Sequence, residues 1–105
     1  VDCGKRRQGC LMGPDAYRTA GLADALRNLG HDVVDKGNVA PDPFEHRDEP
    51  IVHARAETIA WTAALSRAAQ DACATGLPIF MGGDHALALG TVHGAAAYAA
   101  RVNRP

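Results

Sequence analysis

The residues best suited to chemistry are concentrated between positions 78 and 90 of the chain. The apolar run Ile79-Phe80-Met81 has the length of a strand and lacks polar alternation, which is typical of a parallel strand covered on both faces. It is followed by Gly82-Gly83, by Asp84-His85 and then by a helical pattern. Ligands of open α/β sheets bind beyond the carboxyl ends of the strands. This placement predicts that His85 is a metal ligand, with Asp84 either beside it or capping the helix.

The two glycines favour a functional turn, because glycine adopts backbone conformations closed to other residues and permits close approach to a bound group. A simpler interpretation stays open, in which Asp84 is only a helix cap and His85 a partly buried loop histidine. The remaining histidines carry less signal, because they lie in loops or on helices where histidine more often faces solvent or packs. They are His31, His46, His53 and His93.

Other catalytic templates are absent from the sequence. There is no G-x-G-x-x-G for a dinucleotide, no P-loop, no C-x-x-C pair and no G-x-S-x-G nucleophile turn. A complete metal site needs three or more ligands, and the chain offers a single well-placed one, His85.

Composition narrows the class of protein. The chain has 105 residues, a formal net charge of −1, 47% apolar and 22% charged residues, which suits one ordinary globular domain. The near-zero charge gives no electrostatic argument for nucleic acid or an anionic membrane, and no apolar run approaches the roughly 20 residues of a membrane span. Three scattered cysteines favour a reducing cytoplasm over a disulfide framework.

Periodicity and punctuation predict the elements that would position His85. A helix runs from Pro14 to Leu29 with Gly30 at its C′ position. A strand over 31–36, a surface loop over 38–50, an alanine-rich helix over 51–75, a strand over 79–81 and a helix over 86–101 follow. This order predicts an α/β fold with a parallel sheet. Two short strands are too few for such a sheet, and the chain starts with Val1, so we expect a piece of a longer protein.

Three segments resemble the N-terminal third of an arginase, in the ureohydrolase superfamily. Residues 9–22 are similar to the family's G-x-x-x-G-P…R-x-A-G-[LI] segment, in its bacterial form more than in agmatinases. Residues 30–38 resemble the strand and turn after the first helix, and Gly82-Gly83-Asp84-His85 matches the GGDH signature. Residues 1–105 are accordingly identified as the N-terminal part of a single arginase-like domain.

The resemblance implies a three-layer α/β/α domain with two manganese ions, whose bridging hydroxide attacks a guanidinium carbon. By resemblance, His85 binds one manganese, the substrate is L-arginine, the products are L-ornithine and urea, and the enzyme is a cytoplasmic trimer or hexamer. The family's D-x-H-x-D and D-x-D motifs are absent from the sequence. We therefore expect residues 1–105 to be inactive alone. Agmatine or another guanidino compound as substrate, and a non-catalytic interaction piece, remain alternatives.

Overall fold

The computed structural model describes residues 9–45 and 51–103, and these residues form four α-helices. A 3₁₀ turn, Cys10–Met12, leads directly into α1, Gly13–Thr19, and α2 follows over Leu22–Asn28. The two longer helices are α3, Arg55–Thr75, and α4, Leu87–Val102. None of the described helices has the combination of length and hydropathy that crossing a membrane requires.

The predicted three-layer α/β/α fold with a parallel sheet is wrong for the part of the chain that the structure describes. Residues 31–36 and 79–81 form no strand, and residues 9–45 and 51–103 contain no sheet. Ile79 is 60% exposed, although it was expected to be covered on both faces. The physical reason is that a strand is defined by hydrogen bonds to a neighbouring strand, and apolar β-propensity does not supply that neighbour.

The helix predicted from Pro14 to Leu29 is divided in two at Gly21. This glycine has φ +82°, a left-handed conformation that L-residues with side chains adopt at a cost, and it begins α2. The predicted helix end is confirmed. Gly30 has φ +91°, its N–H donates to the Arg27 carbonyl at 2.9 Å, and the His31 N–H donates to the Leu26 carbonyl at 3.2 Å. These bonds form a Schellman motif.

The C-terminal end of α3 and the N-terminal end of α4 also lie close to their predicted positions. Gly76 ends α3 as predicted, and α4 begins at Leu87, one residue from the predicted start. The predicted start of α3 at Ile51 is wrong, because residues 51–54 form bends and turns before the helix begins at Arg55. Part of the predicted surface loop, residues 46–50, lies outside the described residues.

The buried core of the described residues lies where α3 packs against α4. Its apolar members are Ala64, Leu65 and Ala69, with Ser66 and Thr91 as buried polar residues. Two glycines of α4 allow close helix packing. A Cβ on Gly90 would lie 2.7 Å from the Thr62 carbonyl oxygen and 2.6 Å from the Leu65 Cβ, and one on Gly94 would lie 2.7 Å from the Ala69 Cβ.

The order of these contacts shows that α3 and α4 run in the same direction. Gly90 faces Thr62 and Leu65, and Gly94, one turn later, faces Ala69. The segment between Thr75 and Leu87 therefore returns along α3, over about 20 Å at 1.5 Å per helical residue. It carries the candidate histidine back to the N-terminal end of α4, close to the 3₁₀ turn.

Candidate metal-binding turn

His85 lies in the turn that immediately precedes α4 and is exposed to solvent. The Leu87 N–H donates to the Asp84 carbonyl at 3.2 Å, and the Ala88 N–H donates to the His85 carbonyl at 2.9 Å. The predicted position directly before the helix is confirmed, whereas the strand expected before the turn is absent among the described residues. The imidazole is thus carried by hydrogen-bonded backbone at the start of a long helix.

Asp84 stabilises this turn through one of its carboxylate oxygens. Its Oδ1 accepts a hydrogen bond from the Ala86 N–H at 2.9 Å, which is the i to i+2 geometry of an Asx turn. Ala86 is the N-cap of α4, so this bond satisfies one backbone donor at the helix start. The expectation that Asp84 caps the helix is wrong in its literal form, because Ala86 is the N-cap, no side chain caps α4, and Asp84 instead holds the turn just before the helix.

Gly82 and Gly83 lie against residues 10–13, which are the 3₁₀ turn and the first residue of α1. A Cβ on Gly83 would lie 2.9 Å from both the Cβ and the Sγ of Cys10. A Cβ on Gly13 would lie 3.8 Å from the Gly82 carbonyl carbon and the Gly83 nitrogen, which is ordinary contact. Gly82 is exposed, but a Cβ built on it would meet the side chain of Leu87.

The reason for the glycine pair differs from the sequence-based expectation. The positive-φ glycines of the described residues are Gly9, Gly21, Gly30 and Gly37. Gly82 and Gly83 are outside that set, so special backbone conformations do not explain them. Gly83 instead permits close approach to the protein's own Cys10, which makes the absence of a side chain a packing requirement.

A second polar cluster, which the sequence analysis missed, connects α1 to the chain after α2. The Arg18 guanidinium donates to Asp35 through Nε at 2.7 Å and through a terminal nitrogen at 3.1 Å. It also donates to Asp15 at 2.8 Å and to the Asn38 side-chain oxygen at 2.6 Å. We call these four residues the Arg18 cluster. Its bidentate contact with Asp35 is the strong form of an arginine–carboxylate pair.

The charges in the Arg18 cluster shift the ionisation of both partners. Hydrogen bonds from Arg18 and from the Gly37 N–H lower the pKa of Asp35 to about 2. The hydrogen bond to Asp35 raises the pKa of Arg18. The helix α2 separates Asp15 and Arg18 in α1 from Asp35 and Asn38 in the sequence, so the tertiary structure is needed to show that the four residues meet. The signal that could have found it is an Arg–Asp pair within segments 9–22 and 30–38.

His93, on α4, contacts the core and not the turn. Its Nδ1 lies 2.8 Å from the Oγ of Ser66, a buried residue of α3. This agrees with the expectation that His93 packs or faces solvent. His31 and His53 are exposed, and His46 lies outside the described residues.

The described residues do not form a complete metal site. No group of three or more histidine, cysteine, aspartate or glutamate residues within 9–45 and 51–103 is arranged to hold a metal ion. His85 presents a single imidazole, and the observed Asp84 bond commits one carboxylate oxygen to the turn. The described residues could therefore contribute His85 to a shell whose other donors come from elsewhere.

Comparison with known proteins shows which family the whole chain resembles. The arginase family model matches residues 1–103. The chain is 51% identical over 107 aligned positions to an arginase of Brucella melitensis, covering 99% of the chain and 35% of that protein. It is 40% identical to an arginase of Agrobacterium fabrum and 33% identical to one of Bacillus caldovelox, with 99% and 97% of the chain covered. The chain spans about a third of the length of these curated relatives, 33% and 36% of the latter two.

Proposed function

This chain belongs to the arginase family, and from that membership we propose that it forms part of a manganese-dependent hydrolase that converts L-arginine to L-ornithine and urea. Residues 1–105 are the N-terminal part of its single arginase-like domain. In this proposal His85 supplies one ring nitrogen to one of two manganese ions. The remaining ligands come from parts of the enzyme outside the described residues.

The observation that carries the proposal is the exposed His85 in the turn Gly82-Gly83-Asp84-His85, which is held by contacts on both sides. Gly83 contacts Cys10, the Asp84 carboxylate accepts a hydrogen bond from the Ala86 N–H, and α4 begins at Leu87. Such support lowers the entropy lost when a side chain is held in one position for binding. A neutral imidazole is also an acceptable ligand for manganese among harder carboxylate ligands.

The chain's own contribution to the chemistry is the placement of a ligand. Manganese, when bound, supplies Lewis-acid polarisation and a nucleophile at neutral pH. His85 would hold the metal through a ring nitrogen. Asp84 holds the turn through its bond to Ala86. Arginine is favoured over agmatine because residues 9–22 resemble bacterial arginases and the similar proteins cited above are named arginases.

The test compares His85→Ala with His31→Ala in the protein encoded by the complete gene. Both histidines are exposed, but His31 follows α2 and lies outside the turn. We expect His85→Ala to lose manganese on dialysis and to release urea about 10–100-fold more slowly, and His31→Ala to match the wild type. Manganese is measured by elemental analysis and urea by colorimetric assay. Wild-type manganese content in His85→Ala would refute the ligand assignment.

Two further assays test which substrate the complete protein hydrolyses and whether residues 1–105 are active alone. Urea release from arginine but not from agmatine supports the proposal, whereas faster release from agmatine supports the alternative ureohydrolase. Residues 1–105 alone are expected to release no urea and to retain little manganese in calorimetry, because one imidazole does not form a complete shell. Turnover by residues 1–105 would contradict the proposed ligand distribution. Absence of activity in the whole protein with either substrate would favour a non-catalytic interaction role.

By the same family resemblance we propose a cytoplasmic homo-oligomer, a trimer or hexamer. Sedimentation analysis of the complete protein tests the assembly, and a monomer at assay concentration would contradict it. Fractionation of the source cells tests the location.

A further inference from the structure

The turn that carries His85 is supported by a surface that the proposed chemistry does not use. Gly83 is the residue two positions before His85, and a Cβ built on it would lie 2.9 Å from the Cβ and Sγ of Cys10 and 3.0 Å from the Cys10 Cα. At distances below 3.0 Å either the added Cβ or the Cys10 atom would have to move. The Cys10 side chain therefore limits how closely the Gly83 backbone can approach the 3₁₀ turn and α1. Cys10 is itself half-buried in the 3₁₀ turn.

Other contacts restrict the turn from different directions. The side chain of Leu87, in the first turn of α4, lies beside Gly82, and the Asp84 carboxylate accepts a hydrogen bond from the Ala86 N–H. Gly13 adds van der Waals contact on the side of α1. His85 is therefore attached to backbone that is supported before and after it. Only one residue, Asp84, separates Gly83 from His85, so a displacement of Gly83 away from Cys10 has a short path to the histidine.

We propose that Cys10 is a positioning residue: its side chain sets the position of the Gly83 backbone and thereby the position from which His85 presents its imidazole to a divalent cation. This inference rests on the proposed function, because it concerns the same histidine. Cys10 acts by size and contact here, and its thiol chemistry has no part in it. Residues that orient metal ligands commonly change metal affinity or activity about 10–100-fold when altered.

Paired size changes across the contact provide the test. Gly83→Ala places a methyl group against Cys10, and Cys10→Gly removes the two closer atoms that this methyl group would meet, Cβ and Sγ, while the Cα at 3.0 Å remains. In the complete manganese-loaded protein, we expect Gly83→Ala to raise the free manganese concentration needed for half occupancy at least 10-fold. We expect the double variant Cys10→Gly/Gly83→Ala to recover most of that loss, because residues in direct contact are non-additive.

Cys73 provides the matched control, since it is the other free cysteine of the described residues and lies in α3, away from the turn. Cys73→Ala combined with Gly83→Ala should recover nothing. Added manganese should restore urea release by Gly83→Ala toward the wild-type kcat, with an unchanged KM for arginine. A merely structural defect would lower the thermal midpoint and would not respond to added manganese.

The outcomes separate the two proposals. If His85→Ala keeps wild-type manganese content, the ligand assignment fails and the positioning role fails with it. If His85→Ala loses manganese but Gly83→Ala does not, or if Cys10→Gly gives no recovery, only the positioning role is wrong. If Gly83→Ala does not fold, Cys10→Leu enlarges the same contact from the opposite side. Weaker manganese binding by Cys10→Leu supports the positioning role, and unchanged binding refutes it.

Discussion

The contact between α3 and α4 yields a prediction whose sign depends on two opposing effects. Alanine at an exposed position inside a helix is more stable than glycine by roughly 0.5–1 kcal/mol, because glycine loses more backbone entropy on folding. Gly94 lies inside α4 but is buried, and a Cβ there would meet the Ser66 carbonyl group and would lie 2.7 Å from the Ala69 Cβ. Helix propensity and packing therefore act in opposite directions on Gly94→Ala.

The packing effect should be larger. The nearest atoms belong to the backbone of Ser66 and to the Cβ of Ala69, and neither can rotate away. The helices must separate, which loosens the contacts of Ala69, a core residue that is 0% exposed. Overpacking in a filled core costs about 1–3 kcal/mol. Subtraction of the propensity gain leaves a loss of roughly 0–2.5 kcal/mol, and because the atoms that a Cβ would meet are rigid we expect the upper half of that range, about 1–2.5 kcal/mol, for Gly94→Ala.

Urea denaturation monitored by circular dichroism and by tryptophan fluorescence measures this loss. Trp61 is the single tryptophan of residues 1–105 and lies in α3, so its emission, measured as the difference from a Trp61→Phe reference, follows the helix that Gly94 contacts. Gly76→Ala is the matched control, because it makes the same change where no atom lies within 4 Å of the added Cβ. It should stay within about 0.5 kcal/mol of the wild type. If Gly94→Ala is as stable as Gly76→Ala, the close approach of α3 and α4 is refuted.

Three further predictions concern the other contacts. Because the pKa of Asp35 is lowered from 3.8 to about 2 in the folded protein, its stabilising contribution is complete above about pH 4 and is lost as the pH falls toward 2. Asp35→Asn should therefore lose less stability than the wild type in acid denaturation followed over that range, and parallel curves would contradict the Arg18–Asp35 pairing. Ser66→Ala removes the bond to His93 and should cost about 0.5–1.5 kcal/mol in urea denaturation, and a double-mutant cycle with His93→Ala should show non-additivity. Gly21→Ala forces a side chain into the left-handed region and should cost about 1–2 kcal/mol in thermal unfolding, whereas Gly21→Asn should cost less; equal stability of all three proteins would exclude strain at this position.

Local sequence signals were sufficient for the ends of the helices. Gly30 and Gly76 end α2 and α3, and α4 begins just after Asp84-His85, because capping and termination depend on residues within one turn of the chain. The same four-residue signature, Gly82 to His85, also led to the arginase family, which the family comparison confirms. The break at Gly21 was missed because the two signals used for the first helix, Pro14 at its start and Gly30 at its end, say nothing about the backbone at position 21.

Contacts between distant residues were decided only by the tertiary structure. The apolar run Ile79 to Met81 predicted a strand, but pairing requires a second segment at hydrogen-bonding distance, and the described residues provide none. The sequence also offered a local reason for the glycines, backbone freedom, that holds at Gly21 and Gly30 but not at Gly83. At Gly83 the missing side chain makes room for Cys10, 73 positions earlier in the sequence. A sequence pattern specifies which conformations a residue can adopt, whereas packing specifies which atom occupies the space beside it.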